Sequence, residues 1–382
     1  MDLQEESLKL HLAHQGKMEI RAKVPLCNGH DLAVAYTPGV AEPCKEIKEK
    51  PEMAFEYTAR GNIVGICTDG TRVLGLGNIG ADAAYPVMEG KAVLFKRFAD
   101  VDAIPVCINE PDPDKFVAIV KALEPSFAAI NLEDIASPKC YDIEDRLKAE
   151  MKIPVFHDDQ HGTAIAAVSA VIGALRLVKK DIRTAKILVN GSGAAGTAIG
   201  RLLLAVGATD LIMLDSKGSL YEGRVTGRPL DRVQAALAKS TNKDKIKGSL
   251  KELAKGADVL IGASAPGVFT EEIIKSMAPD SVVFGLANPV PEAMYEYAKA
   301  AGARVAGTGR SDAPNQVNNV NVFPGIFRGA IAVRATEIND AMKVAAVYAI
   351  ANLIDDQDLR EDYVVPDAFD KRVGPAVEML GE

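Results

Sequence analysis

The chain has 382 residues, of which 48% are hydrophobic and 25% charged, and its formal net charge at neutral pH is -8. This balance is typical of a folded globular protein and excludes fibrous and intrinsically disordered classes. The negative charge provides no broad positive surface for nucleic acid or anionic lipid, so we expect neither as a partner. At about 150 residues per domain, the length predicts two domains with a cleft between them.

Cysteine use and the first residues indicate a reducing compartment. The five cysteines are odd in number, lie in the N-terminal part and show no CxxC spacing, so reduced thiols are expected. The opening residues are acidic and helical in pattern, unlike a signal peptide. The most apolar stretch, Thr163 to Val178, is short for a membrane span. We therefore expect a cytoplasmic protein.

In the first part of the chain, short apolar runs alternate with helix-like segments. After a first helix and an irregular turn at Tyr36, the runs are NIVGIC, YPVMEGKAVLFKRFA, VDAIPVCI, DKFVAIVKALE, FAAINLED, a helix near Tyr141 to Met151, and IPVFHDD. This rhythm is typical of an α/β unit. Residues 1–160 are therefore predicted to form a smaller N-terminal α/β domain that carries the catalytic and metal-binding groups.

The second part, residues 161–382, is predicted to be a doubly wound parallel sheet. A helix from about Thr163 to Val178 leads into AKILVNGSGAAGTAIGRLLLAVGATDLIMLD, a strand, Gly-rich turn, helix and strand. Further strands are predicted at ADVLIGAS, SVVFGLANP and ARVAGTG. We expect a Rossmann-like dinucleotide-binding domain whose last helices, from Asn339 onward, pack back on the first domain.

A Gly-rich turn follows the first strand of this second domain. It reads Gly191-Ser192-Gly193-Ala194-Ala195-Gly196, which matches GxGxxG and opens a helix. The glycines allow a tight turn, close approach of a pyrophosphate and tight helix packing, and the helix N-terminus favours negative charge. Asp215 ends the next strand, at roughly the 20-residue distance of an acid that binds ribose hydroxyls. A plain packing turn is the alternative, but the context favours a dinucleotide site.

A second GxGxxG match, Gly75 to Gly80, shows that the pattern alone is not decisive. Only Val73 and Leu74 precede it, so no full strand leads into the turn. We interpret it as a loop on the substrate side. Arg72 at its start could bind a carboxylate with a bidentate guanidinium, although a single loop arginine is as often structural.

Carboxylates follow two apolar strands. Glu133 and Asp134 end FAAINL, and Asp158 and Asp159 follow IPVF. If the strands are parallel, these groups meet at one sheet edge, where oxygen ligands suit Mg²⁺ or Mn²⁺. The alternative is that Asp158 and Asp159 only cap the next helix. Two clusters favour a metal site.

Lys91 lies in an apolar, helix-like run next to Gly90. A buried amine there would have a lowered pKa and could act as a base near neutral pH. Alternatively, the side chain reaches solvent from an amphipathic helix, and position alone favours this reading.

Eight ordered segments together resemble the malic enzymes. They are YTPGVA, RVLGLGNIG, MEGKAVLFK, INLEDI, FHDDQHGTA, GSGAAG, LANP and NQVNNVNVFPG. The resemblance spans nearly the whole chain and is closest in length to the short prokaryotic form. It implies oxidative decarboxylation of L-malate to pyruvate and CO₂, with reduction of NAD or NADP.

The resemblance also implies a role for individual residues. Lys91 would be the general base and Tyr36 the general acid, with Glu133, Asp134 and Asp159 as ligands of Mg²⁺ or Mn²⁺. The dicarboxylate would contact Arg72, Asn288, Asn318 and Asn319. A homodimer or higher oligomer is expected, and Tyr36 could serve its own or a partner's site.

Several alternatives remain open from the sequence. A malolactic enzyme or oxaloacetate decarboxylase would use the same metal, lysine and tyrosine. An amino-acid dehydrogenase would not need three carboxylates, and a silent dinucleotide sensor would leave Lys91 without a role. Asp215 would repel a 2′-phosphate and favours NAD, whereas Lys217 and Arg224 lie close enough in sequence to accept NADP.

Overall fold

The computed structural model describes residues 3–73, 75–225 and 229–379. The N-terminal segment, residues 3–62, consists of short helices with no buried residue in the single chain. Its α-helices are α1 (Leu3–His14), α2 (Gly29–Ala35), α3 (Ala41–Glu49) and α4 (Ala54–Tyr57). Several of its large apolar side chains face solvent, among them Leu12 at 83% and Ile20 at 97% exposure.

A four-stranded parallel sheet forms the core of the first part of the chain. Its strands β1 (Ile63–Thr68), β2 (Asp102–Cys107), β3 (Ala129–Leu132) and β4 (Val155–His157) lie in the order β2-β1-β3-β4. The helices between them are α5 (Gly80–Ala99), α6 (Pro113–Ala122) and α7 (Lys139–Glu150). Because β3 and β4 are parallel, with Leu132 paired to His157, both strands end at the same sheet edge.

The long helix α8 (Asp158–Val178) joins the two sheets and begins at Asp158 rather than near Thr163 as the sequence predicts. His157 occupies the N-cap position, so Asp158 and Asp159 lie in the first helical turn and are not the caps. Within the described residues, α8 is the one helix long and apolar enough to cross a membrane, but 72% of its apolar window is buried inside the protein. It is packed as a core helix.

A six-stranded sheet follows, in the order β10-β9-β8-β5-β6-β7. Its strands are β5 (Lys186–Asn190), β6 (Asp210–Asp215), β7 (Gly218–Ser219), β8 (Val259–Gly262), β9 (Val282–Gly285) and β10 (Val305–Thr308). All neighbours are parallel except β6 and β7. The interleaved helices are α9 (Ala194–Ala205), α10 (Arg232–Ser240), α11 (Leu250–Leu253), α12 (Glu271–Lys275) and α13 (Tyr295–Ala300). The predicted doubly wound sheet is confirmed.

The tail adds helices α14 (Phe323–Ala332), α15 (Asp340–Ala351) and α16 (Val373–Glu378). Phe323 and Phe327 of α14 pack edge-on against Phe95 of α5. Phe369 lies against Phe98 at the end of the same helix, with ring centroids 5.5 Å apart. The tail thus contacts the first sheet's helices.

Candidate active site

One cleft of about 1210 Å³ opens where the carboxyl ends of both sheets face each other. Residues from both halves of the chain line this cleft. In open α/β sheets, ligands bind at the carboxyl ends of the strands. The lining includes most of the site residues predicted from the sequence: Arg72, Lys91, Glu133, Asp134, Asp159, Gly193, Ala194, Ala195, Asn288, Asn318 and Asn319.

Three carboxylates meet at the edge where β3 and β4 end. Glu133, Asp134 and Asp159 each place one oxygen within 4.8 Å of the others. Asp134 has a left-handed backbone with φ of 54°, and its N–H donates to Asp159 Oδ2 at 2.7 Å. A set of hard oxygen donors this close suits Mg²⁺ or Mn²⁺. The residues present therefore fit a divalent cation.

Lys91 points into this cluster rather than to solvent. Its side chain is 6% exposed, and its Nζ donates to Glu133 at 2.8 Å and pairs with Asp158. Nζ also lies 4.3 Å from the ring centroid of Phe323. The interpretation of Lys91 as a surface lysine is therefore wrong.

The expected lowering of the Lys91 pKa is also wrong in direction. Burial favours the neutral amine, but the carboxylates of Asp158 and Glu133 favour the ammonium more strongly, so the pKa of Lys91 is raised. The predicted direction followed from desolvation alone, whereas the neighbouring carboxylates determine the direction of the shift.

Asp158 joins the lysine to the opposite side of the cleft. It is fully buried, and its Oδ2 accepts from Lys91 and from the side-chain amide of Asn319. Burial raises the pKa of Asp158 to about 6, although Lys91 acts in the opposite direction. A side chain at Gly162 would collide with Asp158 Oδ1, so glycine is needed there.

A buried carboxylate that was not predicted from the sequence lies behind the cluster. Glu144 of α7 accepts from the backbone N–H of His157 and from Gln160 Nε2, each at 3.1 Å, while His161 Nε2 lies 2.8 Å away. Burial alone would raise the pKa of Glu144, but His161 and Lys148 hold it well below its usual range. Glu144 thereby fixes the first turn of α8. Its place on the apolar face of α7 was the available sequence signal.

The Gly-rich turn has the geometry that its pattern predicts. Gly191 has φ of 123°, and a Cβ there would collide with Ala263 O. A Cβ on Gly196 would collide with Gly191 O, whereas Gly193 is open toward the cleft. Ser192, which is buried, is held by Gln234, whose Nε2 donates to Ser192 O at 2.9 Å.

The second Gly-rich loop also lines the cleft, through Gly75, Gly77 and Asn78. No described strand leads into it, since Val73 forms only an isolated bridge with Gly77. Leu74, which belongs to this predicted loop, lies outside the described residues. The backbone N–H of Arg72 donates to Asp134 O at 3.0 Å, which places the arginine beside the carboxylates.

Asp215 ends β6 as predicted, and it is paired with Arg224. Arg224 Nη1 donates to Asp215 Oδ1 at 2.9 Å, and the arginine side chain is 3% exposed. The backbone N–H of Lys217 donates to the same oxygen at 2.8 Å.

Tyr36 is not brought to the cleft within one chain. It follows α2 at the helix C-cap, is 67% exposed and is absent from the described lining of the cleft. Its exposure, like that of its N-terminal neighbours, leaves it available to another molecule.

Comparisons with known proteins find similar sequences and structures. Residues 15–148 match the family model of the malic enzyme N-terminal domain, and residues 160–372 match that of the malic enzyme NAD binding domain. The chain is 57% identical to a bifunctional malic/malolactic enzyme of Bacillus subtilis, over 99% of this chain and 92% of the relative.

Two further relatives differ in the nicotinamide cofactor that they are named for. An NADP-dependent malic enzyme of Escherichia coli is 47% identical over 95% of this chain, which spans 50% of that relative's length. The crystal structure of an NAD-dependent malic enzyme from Thermotoga maritima superposes with a TM-score of 0.94 and 45% identity, covering 98% of each chain.

Proposed function

The chain belongs to the malic enzyme family, and we propose from that premise that it converts L-malate to pyruvate and CO₂ while reducing a nicotinamide dinucleotide. One observation carries the proposal: a single cleft is lined by Lys91, by the carboxylates of Glu133 and Asp134, and by the Gly-rich turn at Gly193. Hydride transfer coupled to decarboxylation needs a base, a Lewis acid and a dinucleotide at one substrate.

Glu133, Asp134 and Asp159 would hold a divalent cation, Mg²⁺ or Mn²⁺. When bound, the cation supplies a Lewis acid that polarises the oxygen on C2 and stabilises the charge left by loss of CO₂. The backbone N–H of Asp134 already donates to the side-chain Oδ2 of Asp159 at 2.7 Å, so little ordering is needed on binding.

Lys91 is proposed as the group that takes the proton from the C2 hydroxyl as hydride leaves C2. The carboxylates alone favour its ammonium form, and a cation held by Glu133, Asp134 and Asp159 would offset their charge and favour the neutral amine that this role requires. Glu133 and Asp158 hold its Nζ beside the carboxylate cluster, and Asn319 holds Asp158 from the other side. These contacts limit the rotation of a long side chain, so its reacting atom is positioned before substrate binds.

Arg72, Asn288, Asn318 and Asn319 are proposed to bind the two carboxylates of malate. They lie on loops from both halves of the chain and face one cleft. A guanidinium forms a bidentate pair with a carboxylate, and side-chain amides donate to the remaining oxygens. A dicarboxylate would thus connect the loops from the two sheets.

The general acid that protonates C3 of the enolate is proposed to be Tyr36 of a second copy of the chain. Within one chain Tyr36 is 67% exposed and outside the described cleft lining, while Leu12 and Ile20 of the same segment expose apolar side chains. Burying this segment against a second copy would remove that apolar surface from water. A homodimer or a higher oligomer would then complete each site.

NAD is proposed as the preferred dinucleotide. The relatives include enzymes named for each cofactor, so family membership does not decide the preference. Asp215 places a carboxylate at the strand end that receives the ribose hydroxyls, and Arg224 is engaged by that carboxylate. A 2′-phosphate would have to displace this pair.

A malolactic activity is the second candidate, because the relative with 57% identity is named for both reactions. In that reaction malate yields lactate, and the reduced cofactor formed in the first step is consumed in the second. The same base and metal ligands would serve both, so the two activities differ in whether the reduced dinucleotide leaves.

We further propose that residues 1–160 form the catalytic and metal-binding domain and residues 161–382 the dinucleotide-binding domain. The two sheets, which fall on either side of this boundary, support the division. A cytoplasmic location is supported by the free thiols of all five cysteines, which suit a reducing compartment.

The test is an assay of purified chain with L-malate, Mn²⁺ and either NAD or NADP, with lactate and pyruvate measured in parallel. Reduced cofactor and pyruvate are expected together, and faster with NAD. Lactate without free reduced cofactor would favour the malolactic activity. No product with either cofactor would contradict both proposed activities.

A further inference from the structure

A further buried carboxylate lies behind the dinucleotide half of the cleft, and the reaction described so far does not use it. Glu292 belongs to the loop after β9, is fully buried and faces the loop after β8. Its Oε1 accepts from Ser264 N–H at 2.6 Å and from Ser264 Oγ at 3.0 Å. Its Oε2 accepts from Ala287 N–H at 3.0 Å.

The hydrogen-bond chain continues to a third loop. Asn190 Nδ2 donates to Ser264 Oγ at 2.9 Å, and Asn190 directly precedes the Gly-rich turn. One carboxylate therefore connects the loops that follow β5, β8 and β9. Because these strands are parallel neighbours, the three loops lie side by side at the cleft.

The surroundings of Glu292 are shaped to receive its carboxyl group. A Cβ at Gly262 would collide with that group, so β8 ends in glycine where the carboxylate lies. Its carboxylate accepts from the backbone N–H and the hydroxyl of Ser264 and from the backbone N–H of Ala287. Burying a charge is unfavourable unless such donors are fixed in place.

We propose that Glu292 is a positioning residue that locks the loop bearing Asn288 to the loop bearing Ser264, so that substrate and dinucleotide are held in one geometry. Asn288 directly follows Ala287, whose N–H the carboxylate accepts, and it lines the cleft. Ala263, Ser264 and Ala265 line the same cleft next to the Gly-rich turn. The proposal rests on the proposed function for the identity of the substrate.

Breaking the hydrogen bonds of Glu292 is expected to weaken the binding of malate and of the dinucleotide together. The metal-binding residues lie on the other sheet and should not be affected. Glu292→Gln keeps the size of the side chain but replaces one acceptor oxygen with an NH₂ group, which cannot accept from Ala287 or Ser264. The NH₂ group of the glutamine would then face the N–H group of Ala287 or of Ser264 in a buried site. We expect the KM values for malate and for the dinucleotide each to rise about tenfold, the factor of a 1.4 kcal/mol change.

A conservative variant and a control variant distinguish a loss of loop positioning from a general loss of structure. Glu292→Asp keeps the charge on a shorter side chain and should recover part of both KM values. Glu296→Gln, an exposed glutamate at the start of α13, should leave both unchanged. The Mn²⁺ dissociation constant, measured by titration without malate, should stay within about twofold of the parent value in every variant.

The affinity for the reduced dinucleotide, measured through the fluorescence of the dinucleotide, tests the positioning role of Glu292 without requiring malate turnover. Weaker binding in Glu292→Gln supports it even if the parent chain does not turn over malate, in which case only the proposed function fails. If Glu292→Gln does not fold, Ser264→Ala removes one link of the chain and should weaken dinucleotide binding several-fold. Unchanged dinucleotide affinity and unchanged KM for malate in the folded variants would overturn the proposal.

Discussion

The ammonium group of Lys91 lies 2.8 Å from a carboxylate oxygen of Glu133, and both side chains are buried. The proposed base and a proposed metal ligand are therefore direct neighbours. Removing either changes the electrostatics of the other, because opposite charges in a buried site are weakly screened.

Replacing Lys91 with alanine should abolish most malate oxidation. The loss of a general base costs typically about 10²- to 10⁴-fold in rate. The affinity for Mn²⁺ should not fall, since the substitution removes a positive charge from beside Glu133 and Asp158. Steady-state rates and Mn²⁺ titration measure the two effects. Lys96→Ala on the exposed face of the same helix is the control. A Lys91→Ala variant with near-parental turnover would exclude the lysine as base.

Asp134→Asn should weaken Mn²⁺ binding by at least about tenfold, because a charged ligand becomes a neutral one. Excess Mn²⁺ should then recover part of the activity, while a chelator should remove all of it. Calorimetric Mn²⁺ titration gives the affinity directly. Glu150→Gln at the exposed end of α7 removes a carboxylate outside the cluster and should change nothing. Full activity in chelator would rule out the metal assignment.

Mixing Tyr36→Phe and Lys91→Ala subunits should restore activity if the acid and the base come from different chains. A mixed dimer would contain one site with both native groups, and random reassembly predicts about a quarter of the parental activity. The mixture is compared with each variant alone, after dissociation and reassembly. If it stays as inactive as its components, the proposal that Tyr36 acts in the partner's site fails.

Tyr36→Phe by itself should separate the two halves of the reaction. Reduction of oxaloacetate does not need protonation of C3, so it should be retained better than full turnover of malate. Equal loss of both reactions would mean that the tyrosine does not act as the acid.

Asp215→Ala should shift the cofactor preference toward NADP. The substitution removes the carboxylate that repels a 2′-phosphate and releases Arg224, which is now held at 2.9 Å. The ratio of kcat/KM for NAD to that for NADP should fall about tenfold or more. Asp210→Ala, at the exposed start of the same strand, is the matched control. An unchanged ratio would show that other residues set the preference.

The sequence predicts the fold and the grouping of the three carboxylates because both follow from local patterns. Alternating apolar runs define the strands, and carboxylates at the ends of two parallel strands must meet, as Glu133 and Asp159 do. The Gly-rich turn is predictable for the same reason, since Gly191 needs its positive φ.

Features that depend on contacts between distant segments were not predictable in this way. The pKa of Lys91 depends on Asp158, which is 67 positions away in the chain. The burial of Glu144 can be inferred from its place on the apolar face of α7, but its role as an anchor depends on His157 and His161, which lie 13 and 17 positions further along the chain. Tyr36 is exposed in the single chain, and its proposed role in the site of a second copy depends on contacts that its own segment does not encode.

The most direct test of the central claim is the product balance from ¹³C-labelled L-malate, followed by NMR together with the absorbance of the reduced cofactor. With Mn²⁺ and NAD, we expect equal amounts of pyruvate, CO₂ and reduced cofactor, and none of the three with Asp134→Asn at low Mn²⁺. Conversion of the label to lactate without reduced cofactor, or no conversion at all, would contradict it.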